Sequence, residues 1–538
     1  MKKMEKSNND GEKPEQTSGQ KLIEKLTQDL SEQHTLFHDT QKQPYIAINH
    51  SGAKVMSLNG NDFKYWLIAN KMESGEYIST HTIDEITQRL RAIAVYKSKM
   101  PRPLSVRIYR KDDIRGMPQE LWYDLGRADG LAVQITKDGY FIKEPPIIFR
   151  KYDHQHEQVL PSSKNSGRLE DLFNIVNLTE REDKVAFAVF LVSCFVDRFP
   201  KPVLLVRGTN GSGKSTPMRI LHNIIDPSEL EAGTSLVKDN SELARVANKC
   251  AILHFDNVDG REITPEVSNA LCRITSGQAF VKRTLYSNDD DTIFKGQRAV
   301  MLNGIGKLAE REDLLDRCLI FNMKRIPEEK RKTEAAIFAK LEEMKPYLLH
   351  EIFMILSMVI SIYPTVELEN THRLADFDKL GYAICEAMDG YSGEEWLEIC
   401  DKVFKRQIEN AFEASATAQI AKFLVDRSLG HIWEGTATEM FNFALREEDH
   451  YQETLEDKNL KQSIRDNPSF PKSPNVLGVQ LNRAESTLRS LGIIVEHSKD
   501  GKNVYKDGAR WITLRDYGWI KANKKQEQQT TSDIVVPF

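Results

Sequence analysis

The run Gly208-Thr209-Asn210-Gly211-Ser212-Gly213-Lys214-Ser215, followed by Thr216, has the residue types and spacing of a loop that wraps phosphate. It satisfies G-x-x-x-x-G-K-[ST] at every position. Glycines let consecutive backbone N–H groups converge on phosphate oxygens, and a helix starting where the loop ends turns its positive end toward them. Lys214 would reach the β- and γ-phosphates, and the Ser215 hydroxyl would hold Mg²⁺. The chemistry implied is ATP binding with Mg²⁺. Two further polar residues end apolar runs. Ala-Ile-Leu-His-Phe leads into Asp256, a carboxylate placed to hold the same Mg²⁺, and Arg-Ala-Val-Met-Leu leads into Asn303, an amide able to touch the attacking water or the γ-phosphate. Hydrolysis also needs the water polarised. Either Asp259 or another group takes that task, or Asn257, directly after Asp256, positions the water without accepting its proton.

These residues need a sheet that ends where the phosphates sit. Pro202–Arg207, Cys250–Phe255, Arg298–Asn303 and Cys318–Met323 read as apolar strands, the first leading through the glycine loop into a helix. The fold expected is a multidomain α/β chain. Residues 1–40 read as a disordered tail, 41–160 as an α+β N-terminal domain, and 161–330 as the P-loop core. Residues 331–405 read as all helical, 406–520 as helices and short strands (Ile493–Val495, Asn503–Tyr505, Trp511–Leu514) suggesting a winged helix, and 521–538 as a loose tail.

Hydrophobic residues at 40% and charged residues at 28% describe a globular protein. A formal net charge of −5 advertises no overall nucleic-acid field, so any such footprint must be local. Six scattered cysteines without a C-x-x-C pair read as buried free thiols in a reducing cytoplasm. The apolar stretches Val185–Val196 and Ile352–Tyr363 fall short of the roughly 20 residues of a membrane span, so no membrane is expected.

With these motifs in place, the chain resembles the AAA+ replicative ATPases of phages, plasmids and pathogenicity islands, relatives of minichromosome-maintenance and superfamily III helicases. The resemblance covers most of the chain, including Tyr123–Arg150 ahead of the motor, Phe-Asp-Asn-Val-Asp at 255–259 and Phe280–Arg298. It implies an AAA+ core with residues 331–405 as its helical lid, and Asn303 as the residue called sensor 1. Many AAA+ motors carry glutamate where Asn257 stands, but the Asn is similar to this branch. Arg317, just before the strand Cys318–Met323, would be the arginine presented to a neighbouring subunit's nucleotide, with Arg311 in reserve; its plainer reading is an ion pair with Asp313 or Asp316. Arg373 would be the sensor 2 arginine, against a plainer pairing with Asp376. Phe280–Arg298 would form a hairpin projecting into a ring channel. Its Ser-Asn-Asp-Asp-Asp turn is acidic, so contact with single-stranded DNA falls on the flanks, at Lys282, Arg283 and Lys295.

Residues 471–525 hold eleven Lys and Arg against five Asp and Glu. Arg483 and Arg489 fall on an expected helix, Val479–Leu491, whose Leu481, Ala484, Leu488 and Leu491 would face a core. That helix, with a basic wing carrying Lys499 and Lys502, would read duplex or origin DNA. The leading expectation is a homo-hexameric ATP-dependent DNA helicase acting in replication of a mobile element, with a primase or polymerase as natural partner and 3′→5′ movement implied by resemblance only. The alternative is an origin-binding initiator that uses ATP as an assembly switch. A P-loop kinase has no need for a trans arginine, a channel hairpin and a basic winged helix.

Overall fold

The structure is a computed structural model that describes residues 17–48, 54–98, 101–164, 169–209, 211–278, 280–283, 291–294, 296–305, 308, 312–369, 371–445, 454–497, 511–517 and 519.

Four parallel strands form the central sheet, in the order Ile252–Asp259, Ala299–Ile305, Val203–Gly208, Cys318–Met323. Both faces are covered, which is why each strand reads as a continuous apolar run. Alternate residues divide between two cores. Leu204, Val206, Met301, Leu319 and Phe321 pack with the helices Arg181–Ser193 and Ser215–Ile225. Leu205, Leu253, Phe255, Leu302 and Ile320 pack with Asn240–Ala247 and Pro265–Ser276 on the other side.

Three expectations are corrected here. Residues 1–40 are not all tail: Ser18–Gln33 is a helix, opened by a capping box between Thr17 and Gln20. Its Ile23, Leu26 and Leu30 bury with the helix Thr80–Tyr96 and with the sheet Thr35–His38, Pro44–Ile48 and Lys54–Ser57. Residues 41–160 do not pack as one domain. The antiparallel meander Ile108–Asp112, Pro118–Asp124, Ala132–Thr136, Gly139–Lys143 contributes Leu121, Tyr123, Val133 and Ile135 to the same core as the helices Arg181–Ser193 and Ser215–Ile225. A buried ion pair fastens it. Arg107 Nε donates to Asp226 Oδ1 at 3.0 Å, and Nη2 donates to the carbonyls of His156 (2.8 Å) and Pro227 (3.1 Å). Burial pushes the Asp226 carboxyl up, but the Arg107 guanidinium outweighs it and holds the group below its usual range. The third correction is the boundary at 405. The helix Gly393–Ala414 runs through it, and the C-terminal unit begins at Ser415, which caps the helix Ala416–Arg427.

The helical region contains Glu334–Ile362, a 29-residue helix long and apolar enough, with the turns flanking it, to cross a membrane by composition. The sequence reading placed it within the all-helical stretch 331–405 and marked Ile352–Tyr363 as apolar. Leu348, Leu349, Ile352, Phe353 and Leu356 have no exposed surface, and Phe353 rests on Tyr123, Tyr140 and Phe195, so it serves as a core helix under the meander. All six cysteines are free and buried.

The C-terminal unit has its own core. Helices Ala416–Arg427, Ala437–Leu445, Leu455–Arg465 and Pro474–Ser490 pack with a three-stranded antiparallel sheet ordered Ile432–Thr436, Trp511–Asp516, Ile493–His497. The strand Ile432–Thr436 was not expected; Asn503–Tyr505 lies outside the described residues.

Candidate nucleotide site

The phosphate loop hangs between the strand Val203–Gly208 and the helix Ser215–Ile225. Gly213 has φ +73°, a left-handed conformation that suits glycine, and a Cβ on Gly208 would lie 2.8 Å from the Met323 carbonyl oxygen. Asn210 lies outside the described residues. Lys214 Nζ donates to the Thr209 carbonyl at 3.2 Å, across the loop that phosphates would enter.

Ser215, Asp256 and Asn303 converge. Ser215 Oγ donates to Asp256 Oδ1 at 2.9 Å, and Asn303 Nδ2 donates to Asp256 Oδ1 at 2.6 Å and to Ser215 Oγ at 3.1 Å. Asn303 is buried, and its Oδ1 accepts the backbone N–H of Asn257 at 2.8 Å. One amide thereby fixes the hydroxyl and the carboxylate that fit a Mg²⁺ ion.

Asn257 sits at φ +54°, inside a register shift between Phe255 and Val258, and is exposed. Asn tolerates this left-handed backbone better than Glu would, a physical reason for the residue found there. Asp259, one of the alternatives for polarising the water, is engaged by its neighbours. It caps the short helix Gly260–Glu262 and pairs with Arg261 at 2.6 Å, and that hydrogen bonding holds its carboxyl down at about 2. A carboxylate so engaged is a poor base for water.

The structure adds residues the sequence reading passed over. Asn177 Nδ2 donates to the carbonyls of Ser212 (3.1 Å) and Lys324 (2.7 Å), pinning the loop to the end of the fourth strand. Arg331 lies against the loop: a Cβ on Gly211 would be 3.3 Å from its Nη2. Gly233 backs Asp256, since a Cβ there would fall 2.7 Å from the Asp256 Cβ. Behind them His254 is buried, which pushes its pKa down to about 4. None of these belongs to a recognisable sequence pattern.

Arg317 stands elsewhere. Its carbonyl accepts the Val203 N–H at 2.8 Å, at the start of the strand whose far end is Gly208. At about 3.3 Å per residue, the phosphate loop is on the order of 17 Å away. Arg373 Nη1 pairs with Asp316 at 2.8 Å, not with Asp376. Arg373 therefore lies at the same edge as Arg317, remote from its own chain's loop.

Phe280–Arg283 and Asp291–Phe294 pair as the expected antiparallel hairpin, with Lys282 opposite Thr292 and Arg283 opposite Asp291. Residues 284–290, Lys295 and Arg311 lie outside the described residues, as do Lys499 and Lys502. The basic helix is Pro474–Ser490, longer at its start than expected. It buries Leu477, Leu481, Ala484 and Leu488, Arg483 is exposed, and Arg489 pairs with Glu485 at 2.6 Å.

The family model of the actinomycete integrative conjugative element replication protein RepA matches residues 169–399, and that of the RepA C-terminal domain of these elements matches residues 417–531. No curated protein matches the chain. Among solved structures it is similar to SCCmec type IV Cch, titled an active helicase (11% identity, 91% of this chain and 94% of that one, TM-score 0.43). It is also similar to the C-terminal region of NrS-1 (13%, 92% and 98%, 0.39) and to a full-length MCM homologue from Methanopyrus kandleri (15%, 66% and 95%, 0.30).

Proposed function

Because the chain belongs to the family of integrative-conjugative-element replication proteins, its two models together matching more than half of it, we propose that it is an ATP-dependent DNA helicase, an AAA+ ring motor that unwinds DNA for its element. The observation that carries this reading is the meeting of Ser215, Asp256 and Asn303 within 3.1 Å of one another beside the phosphate loop. Lys214 would neutralise the β- and γ-phosphates, Ser215 and Asp256 would hold Mg²⁺, and Asn303 would orient the attacking water. When bound, Mg²⁺ screens the charge that develops on the phosphates. Asn257 would place the water through its exposed amide.

Arg317 is out of reach of its own phosphate loop, which supports its use on a neighbour's nucleotide and hence a closed ring, read as a hexamer. Arg373, ion-paired to Asp316 beside it, would belong to the same subunit edge. The hairpin bearing Lys282 and Arg283 would face single-stranded DNA in the channel. The order of helices and strands in the C-terminal unit supports its reading as a winged helix, which would hold duplex through Arg483, with Arg489 shared with Glu485.

A fork-unwinding assay with purified chain, ATP and Mg²⁺ tests the proposal. Unwinding that disappears in Lys214→Ala supports it. Slow ATP turnover that DNA does not stimulate, with origin binding but no unwinding, would replace it with the ATP-switched initiator.

A further inference from the structure

A second polar cluster lies in the helical region, outside the nucleotide site. His372 precedes the helix Ala375–Ala387 and is held on both ring nitrogens, Nδ1 at 3.1 Å from Asp378 Oδ2 and Nε2 at 3.0 Å from Asp401 Oδ1. Its backbone N–H donates to the same Asp378 oxygen at 2.7 Å. Asp378 has no exposed surface; its other oxygen, Oδ1, is buried without an N–H or O–H donor, and the Cys400 thiol hydrogen-bonds the carboxylate. A thiol is a weak donor, so the buried carboxylate is poorly compensated by it. Cys400, on the helix Gly393–Ala414, is buried beside it. An imidazole nitrogen, a carboxylate oxygen and a thiol sulfur from His372, Asp378 and Cys400 all lie within 4.8 Å of one another.

We propose that His372, Asp378 and Cys400 bind a divalent cation of the zinc type, with Asp401 as the positioning residue. One sulfur, one imidazole and one carboxylate form a donor set of intermediate softness, which suits zinc and disfavours Mg²⁺ or Ca²⁺. Nδ1 faces the cation while Nε2–H donates to Asp401, the arrangement by which a carboxylate fixes the tautomer and orientation of a metal-bound histidine. The Asp378 carboxylate exchanges the weak thiol donor for the cation. Binding deprotonates the Cys400 thiol and releases that proton to solvent. The cation joins three pieces of chain: the turn at 371–374, the helix Ala375–Ala387 and the helix Gly393–Ala414. Arg373 follows His372 directly, so the same ion fixes the backbone from which that arginine reaches Asp316 at the subunit edge.

The rival account is a proton in the metal's place: an imidazolium held between Asp378 and Asp401. The two differ in what the full-length reduced chain binds after it has been stripped with chelator. Titration with Co²⁺ should give one equivalent of a site with a thiolate-to-cobalt charge-transfer band and the intense visible bands of a four-coordinate ion, and Zn²⁺ should abolish both. The Ser215–Asp256 pair offers only oxygen and cannot produce the thiolate band. Cys400→Ser should remove that band, His372→Gln should abolish tight binding, and Asp401→Asn should weaken Zn²⁺ by about 10–100-fold while keeping the band. A folded chain that gives no thiolate band, or one whose band persists in Cys400→Ser, overturns the proposal in favour of the imidazolium.

Discussion

The sharpest test of the nucleotide site is Asn303→Asp. The substitution changes almost no volume, but it replaces the Nδ2 donor, 2.6 Å from Asp256 Oδ1, with an oxygen. Two carboxylates would then face each other with charge centres about 4 Å apart, a repulsion of about 4 kcal/mol at an effective dielectric constant of 20. A repulsion of that size disfavours the doubly charged pair, so one of the two carboxyls holds on to a proton that an isolated carboxyl would give up. While the pair keeps that proton it binds Mg²⁺ poorly. Once both groups are charged the ion can bind. Steady-state ATPase measured from pH 6 to 9 at fixed Mg²⁺ should therefore be low at pH 6 in the variant and climb with pH, whereas Asn303→Ala stays slow throughout. Raising Mg²⁺ should shift the variant's climb to lower pH. A variant with the parental rate and profile would show that Asn303 does not share a metal site with Asp256, and the convergence would be structural only.

Lys214→Ala should keep the fold by circular dichroism and lose ATPase, since its ammonium bonds only a loop carbonyl, Thr209. Asp259→Ala should leave turnover within about twofold, because the carboxylate is spent on Arg261 and the cap; a hundredfold loss would restore it as a base. Arg317→Ala should bind ATP but hydrolyse it poorly, and mixing it with Lys214→Ala should recover turnover, as one subunit lends the arginine and the other the loop. Mixtures that stay inactive would count against shared sites. Arg483→Ala should weaken duplex binding more than Arg489→Ala, because Arg489 is partly neutralised by Glu485; equal losses in salt-dependent binding assays would refute that ranking.

The phosphate loop, its strand and helix, and the ends of the strands at Asp256 and Asn303 were legible because each depends on local pattern: glycines where the backbone must turn, apolar runs where a parallel strand is covered on both faces. The meander's allegiance was not legible. Its strands alternate like those of any half-buried sheet, and nothing local tells that Tyr123 rests on Phe195 and Phe353 or that Arg107 finds Asp226 across 119 residues. The helix Ser18–Gln33 was missed for a different reason: its composition is polar, although Ile23, Leu26 and Leu30 repeat at helical spacing behind a Thr-x-x-Gln cap. Asp259 stayed open as a base because the sequence shows a carboxylate near a site without showing the arginine that pairs with it.

Arg373 shows what topology adds to the sequence. From sequence, the arginine reads either as sensor 2 or as a partner of Asp376. The parallel sheet bears on whether its own chain's nucleotide is in reach. Gly208 and Arg317 lie at opposite ends of paired strands, and Asp316 binds Arg373 at the Arg317 end. No rotamer of a side chain some 7 Å long crosses a strand of about 17 Å. On the proposed reading, a chain alone therefore holds a phosphate loop with no arginine to complete it from that edge, and an arginine edge with no phosphates to meet. Only a second copy, placed so that one molecule's edge faces the next molecule's loop, resolves both deficits. Repeated, that head-to-tail contact gives a ring where its rotation closes and a helical filament where it does not.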